Sequence, residues 1–229
     1  MKESVRISAL YSYPAHSLAY PYLARLTYPW EILPMISEII KEIGAGLSSE
    51  EYDRVGEDIW ISRSAKIAPT ASISGPCIIG HEAEVRHCAF LRGSALVGAG
   101  AVVGNSTELK NCILFDGVQV PHYNYVGDSI LGYKAHMGAG AITSNVKSDK
   151  SEVVIRVGEE KIPTGRRKIG AMLGDFVEVG CGSVLNPGTV IGAHTNLYPL
   201  SSVRGAVPAH AIFKSGKGSE IVKKMKNEE

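Results

Sequence analysis

The sequence predicts an all-β solenoid, a coil whose three short strands per turn each put one bulky residue inside. The first observation behind it is a large apolar residue every six positions: Ile61, Ile67, Ile73, Ile79, Val85, Leu91, Val97, Val103, Leu109. Second, the beat survives two single-residue skips, resuming at Leu114, Val120, Val126 and again at Leu131 and Met137, with Thr143 its weak last member. After a break it returns as Leu173, Val179, Leu185, Ile191, Leu197 and Val203. Third, Gly commonly follows the apolar residue, as at Gly80, Gly98, Gly104, Gly138 and Gly180. A helix repeats at 3.6 residues and a half-buried strand at two, so neither explains the sixes. A chain that turns a corner after each short strand does, with three faces closing a coil of about eighteen residues. Gly at the corners fits turns that need positive φ or close backbone approach. A β-sandwich would show two-residue alternation and irregular turn spacing instead.

The elements follow in order. Residues 1–57 form an N-terminal cap region, Tyr-rich and Pro-broken at first, with a short strand expected from Val5 to Leu10. Ile32, Ile36, Ile39, Ile40 and Ile43 fall at helical spacing, so a helix should begin near Pro34 and stop at Gly44. Ser48 with Glu51 resembles a capping box opening one more turn. These pieces should pack on the open first coil near Ile61 and shield its strand edges. The coil itself occupies 58–213, with an insertion at 146–170. There Val153, Ile155 and Val157 alternate, Gly158-Glu159-Glu160 turns and Lys161-Ile162 returns, which reads as a small hairpin. The C-terminal tail is 214–229, within which Gly218 to Glu229 should form a short Lys-rich helix or fray.

Composition narrows the function classes. With 24 Lys and Arg against 23 Asp and Glu, the formal net charge of +1 gives no bulk attraction to nucleic acid or an acidic membrane. The cysteines (Cys77, Cys88, Cys112, Cys181) are scattered without a CxxC pair and read as buried fillers or free thiols. No secretory leader or membrane-length apolar run is evident, so a cytoplasmic location is expected.

The coil register converts sequence distance into stacking. Counting faces from Ile61, Arg92 and Lys110 each follow an inward residue of the third face, eighteen positions apart, so they should stack and point outward. Two adjacent cations repel unless an anion or a carboxylate such as Glu108 lies between them. Asn145 lies two beyond Thr143, His122 two beyond Val120, and Tyr125 shortly after, so all five should gather around one edge. His122 also heads a second column, continued by Ala139, Cys181 and Pro199, whose small residues leave a groove for an extended ligand. In the run Arg166, Arg167, Lys168, the arginines read as a solvated face.

The chain resembles the hexapeptide-repeat left-handed β-helix acyltransferases; its period gives the repeat, and the left-handed coil is what the resemblance implies. Within them, "HYNYVGDSILGYKAHMGAGAITSN" resembles the acetyltransferase domain of the bifunctional enzymes that make UDP-N-acetylglucosamine. "YPWEIL" is similar to the linker that follows the nucleotidyltransferase domain in related enzymes. The resemblance implies that His122 is the general base, that Arg92, Lys110 and Lys168 hold a sugar 1-phosphate, and that Tyr125 and Asn145 touch the substrate. It places Ala139 and Cys181 along an acetyl-CoA groove, which Pro199 would continue, and implies a homotrimer with sites between neighbouring prisms. The function so implied is acetyl-CoA-dependent N-acetylation of an amino-sugar phosphate or nucleotide-linked amino sugar. Departures are Val146 where the family has Tyr, the long insertion, no clear match to the basic C-terminal segment, and no room in residues 1–60 for a nucleotidyltransferase domain. Two rivals remain: a non-catalytic sugar-phosphate scaffold, and a zinc enzyme resembling the γ-class carbonic anhydrases. For the latter, His81, His87, His122, His136, His194 and His210 are scattered across faces and form no evident ligand triad.

Overall fold

The computed structural model describes residues 2–215 and 220–223. The six-residue beat builds a parallel β-helix. Ile61 pairs with Ile79 and Ile79 with Val97 on the first face, Val85 with Val103 on the second, and Ile73 with Leu91 on the third. Inward residues such as Leu91, Val103, Leu114, Val120, Leu131 and Leu173 are fully buried, and their stacked columns are the core. Ile61, Ile67 and Ile73 are partly buried, because they lie in the first coil. Thr143 is fully buried with its hydroxyl satisfied: it donates to Tyr125 O at 3.2 Å and accepts from Gly127 N at 2.9 Å.

Both skipped residues are lost at the corner between the third and first faces. There, strands Glu108–Leu114 and Tyr125–Leu131 each serve two faces, bending at Asn111 (φ +49°) and Asp128 (φ +48°). The preceding coil turns the same corner through two positive-φ residues, Gly93 and Ser94.

The N-terminal region carries the expected helix but differs from expectation around it. Lys2–Val5 is a 3-10 turn and Ile7–Leu10 a short helix, so no strand forms at Val5 to Leu10. The main helix is Ile36–Ala45, with Gly44 inside it, because the Trp60 ring lies where a side chain on Gly44 would go. After it, Ser48 accepts from Glu50 N in a turn that opens no further helix; Tyr52–Gly56 instead pairs antiparallel with Ile59–Ser62. Tyr52–Gly56 thus covers the free strand edge of the first coil, as expected, while the helix and the turns before it lie along the first face rather than over the open end. The helix packs on Cys77–Ile79, Ala95–Val97 and Glu108–Leu114; Tyr11 stacks on Phe115 at 5.0 Å; Asp175 accepts from Ser12 N at 2.6 Å. The cause is a second apolar column on that face: Ile78, Leu96, Ile113, Ile130, Met172 and Val190 alternate with the inward residues and are buried beneath this cover.

The insertion is a hairpin, Val154–Val157 with Glu160–Pro163, whose Val153, Ile155, Val157 and Ile162 are buried. In the tail, Glu220–Lys223 is a strand antiparallel to Ala211–Lys214 and not a helix, because the last second-face strand offers it a free edge. Residues 216–219 and 224–229 of the expected tail lie outside the described residues. Among the described residues, no helix is long and apolar enough to cross a membrane.

Candidate active site

The residues singled out in the sequence occupy two successive corners of one coil, joined by the short third-face segment 125–127. His122 ends strand Gln119–His122, and its exposed imidazole has no side-chain hydrogen bond among the described residues. Its corner is pinned from beneath by Asn124, which is 2% exposed. The Asn124 amide accepts from His122 N at 3.1 Å and donates to Gly138 O at 2.8 Å and Ala141 O at 3.0 Å. One buried side chain thus sets the His122 backbone against the Ala139 loop. Sequence reasoning passed over Asn124; its signal was a polar residue beside a corner, where buried amides commonly close the backbone.

The column above His122 is continuous in the backbone ladder. Gly140 N donates to His122 O at 3.0 Å, Gly182 N to Ala139 O at 2.8 Å and Leu200 N to Cys181 O at 2.9 Å. Ala139, Cys181 and Pro199 therefore stack in register on His122. Gly138 N bonds Val179 O and Gly140 N bonds His122 O, which leaves the intervening Ala139 N–H outside the ladder among the described residues.

At the other corner the organiser is Asp128, also missed, whose side chain is 7% exposed. Its carboxylate accepts from Asn111 Nδ2 at 2.8 Å and Asn145 Nδ2 at 2.5 Å, with Lys110 Nζ at 3.5 Å. Asn145 Nδ2 also lies 3.2 Å from the Tyr125 hydroxyl. Arg92 pairs with Glu108 at 2.7 Å, and Glu108 is the register partner of Tyr125. Each cation thus has its own carboxylate, where Glu108 alone was the candidate from sequence. Burial, with Asp128 and Glu108 nearby, pushes the Tyr125 hydroxyl above its ordinary value, so it is a neutral phenol near pH 7. Lys168 is exposed and arrives on the strand returning from the hairpin, where it bridges Val146 beside Asn145. Lys110, Tyr125 and Asn145 are thus joined through Asp128, and Arg92 through Glu108. His122 lies at the opposite end of the segment, so the five share a face and not one edge. Among the described residues, no three His, Cys, Asp or Glu side chains group to hold a metal ion.

These features define a hexapeptide-repeat left-handed β-helix of the class related to GlmU-type proteins. Residues 73–197 match the GMPPB C-terminal domain family, and the chain belongs to it. It is 33% identical over 126 residues to the bifunctional sugar-1-phosphate nucleotidylyltransferase/acetyltransferase of Sulfurisphaera tokodaii, covering 55% of this chain and 31% of that protein. It is 32% identical over 169 residues to the bifunctional protein GlmU of Methanococcus aeolicus, covering 73% and 41%. The chain thus spans well under half the length of these relatives. Among solved structures, the acetyltransferase domain of PglB from Neisseria gonorrhoeae, in complex with acetyl coenzyme A, aligns over 83% of this chain and 66% of that one. Its sequence identity is 16% and its TM-score 0.38.

Proposed function

We propose that the chain is an acetyl-CoA-dependent N-acetyltransferase acting on an amino-sugar phosphate or nucleotide-linked amino sugar, with a homotrimer as the active unit. One arrangement carries the reading: an exposed imidazole, free of carboxylate partners, heads a stacked column of small residues at one corner, and Arg92, Lys110 and Lys168 belong to the next corner along the same short strand. The acceptor's phosphate binds at Arg92, Lys110 and Lys168, whose charges suit phosphate oxygens. Tyr125 and Asn145 orient the sugar. Acetyl-CoA lies along Ala139, Cys181 and Pro199. The amine nitrogen attacks the thioester carbonyl carbon while His122 takes its proton. The Ala139 N–H meets the oxyanion; the C–S bond then breaks and the proton passes to the coenzyme thiolate. Relatives named for sugar-1-phosphate nucleotidyl transfer and acetyl transfer support the substrate class. The test is an acetyl-CoA turnover screen across amino-sugar 1-phosphates and nucleotide amino sugars. Turnover of none of them, with phosphate binding intact, would favour a binding protein, a reading helped by the carboxylates that already hold Arg92 and Lys110.

A further inference from the structure

A second basic cluster lies beyond this site, where the inserted hairpin meets the coil. A cleft of about 260 Å³ opens there, lined by Lys147, Arg156, Lys161 and Arg204 together with Pro187 and Gly205. Four cations from three separate segments converge on it, and no carboxylate lines it. Lys147 has an exposed partner in Asp149 at 3.5 Å. For Arg156, Lys161 and Arg204 there is no carboxylate at ion-pair distance among the described residues. Arg156 and Lys161 are directly opposed across the hairpin, a like-charge pairing that is unfavourable without an anion between them. The hairpin is held in place from below: a side chain on Gly188 would run into Val153 and Ile155, and one on Gly205 into Arg156 O. Its two cations are therefore carried on a fixed support rather than on a loose loop.

Arg204 comes from the coil itself. It directly follows the inward Val203, as Arg92 follows Leu91 and Lys110 follows Leu109, so it extends the same third-corner column. The hairpin leaves the coil at that corner, between the two groups of cations. A concave site with four positive groups and low-dielectric walls concentrates field on an anion of more than one charge. A single phosphate is matched by two or three such groups, as at Arg92, Lys110 and Lys168; four suit two linked phosphates.

We propose that this cleft is a diphosphate site, separate from the Arg92–Lys110 corner, which takes the diphosphate ester of a nucleotide or of coenzyme A. The inference does not depend on acetyl transfer, and binding alone tests it. Inorganic diphosphate is titrated into the full chain by calorimetry at low salt, for the parent protein and for Arg156→Ala, Arg204→Ala, Arg204→Lys and, as an exposed cation outside both sites, Arg25→Ala. The site predicts one class of binding that weakens about tenfold or more in the first two variants, the scale of a lost charge-assisted bond, with partial recovery in Arg204→Lys and no change in Arg25→Ala. The exposed positions of Arg156 and Arg204 keep folding out of the comparison. Competition by UDP but not by coenzyme A assigns the site to a nucleotide, and the reverse assigns it to the coenzyme. No binding of diphosphate at millimolar concentration, affinity indifferent to Arg156 and Arg204, or equal loss in Arg25→Ala would each overturn it.

Discussion

At the scale of single residues, His122 and Tyr125 compete for the role of base, and their surroundings separate them. The raised Tyr125 hydroxyl holds its proton near neutrality and lies against Asn145, whereas the His122 imidazole is exposed with no side-chain hydrogen bond among the described residues. Changing His122 to Ala should lower kcat by about 10² to 10⁴ with little change in sugar-phosphate affinity, while Tyr125→Phe should leave most of kcat. Steady-state kinetics on the two variants decides, and the opposite ranking would move the base to Tyr125. The cysteines give a second check. Cys77 and Cys112 are buried, and burial pushes the Cys77 thiol up to about 12 and the Cys112 thiol higher still, so neither offers thiolate at pH 8. Cys88 and Cys181 are exposed. Iodoacetamide on the native protein should therefore add two labels by mass spectrometry, and acetyl-CoA should protect Cys181. The glycines after the beat also resolve at this scale. At Gly104 a methyl group would overlap the Pro121 carbonyl, and at Gly138 it would come within 2.7 Å of Cys181 N. Neither has positive φ, so close approach between coils, and not the turn itself, requires them.

At the scale of elements, the third corner is where a coil loses one residue and gains a site. Arg92→Ala or Lys110→Ala should weaken a phosphate-bearing ligand by about 1.5 to 3 kcal/mol and leave the fold intact. Calorimetry with glucosamine 1-phosphate reads this, and unchanged affinity would remove the corner from the site. The faces, the hairpin and the His122 column were legible from the sequence, because each inward residue recurs at a fixed interval and stacking follows from counting. The helix of the N-terminal segment was legible as well, but the docking of that segment was not. It docks on the second residue of each first-face triplet (Ile78 in Cys77–Ile79, Leu96 in Ala95–Val97), and the six-residue beat hides that column behind the stronger one. Asp128 was hidden for another reason. In "VGDSIL" it looks like an ordinary corner residue, and its importance depends on Asn111 and Asn145, each seventeen positions away, turning inward to the same carboxylate.

At the scale of the whole molecule, the N-terminal segment occupies one of the three faces and leaves the second and third to meet neighbours. Flat faces that exclude water over several coils favour a closed ring of three, so light scattering at micromolar concentration should give three times the 24.5 kDa chain mass. A monomeric mass would leave the proposed site incomplete. The in-register ladder has one more consequence. Because strands stack at a fixed spacing of about 4.8 Å, the prism is a graduated ruler, and any two features on one corner are separated by a whole number of divisions. Lys110 and Arg204 mark positions four divisions apart, through Gly127, Ser144 and Asn186, or about 19 Å at that spacing. A ligand that touches both is selected by its length as well as its charge. Splicing in one more complete turn would move the two marks apart by a single graduation while leaving each local site as it is.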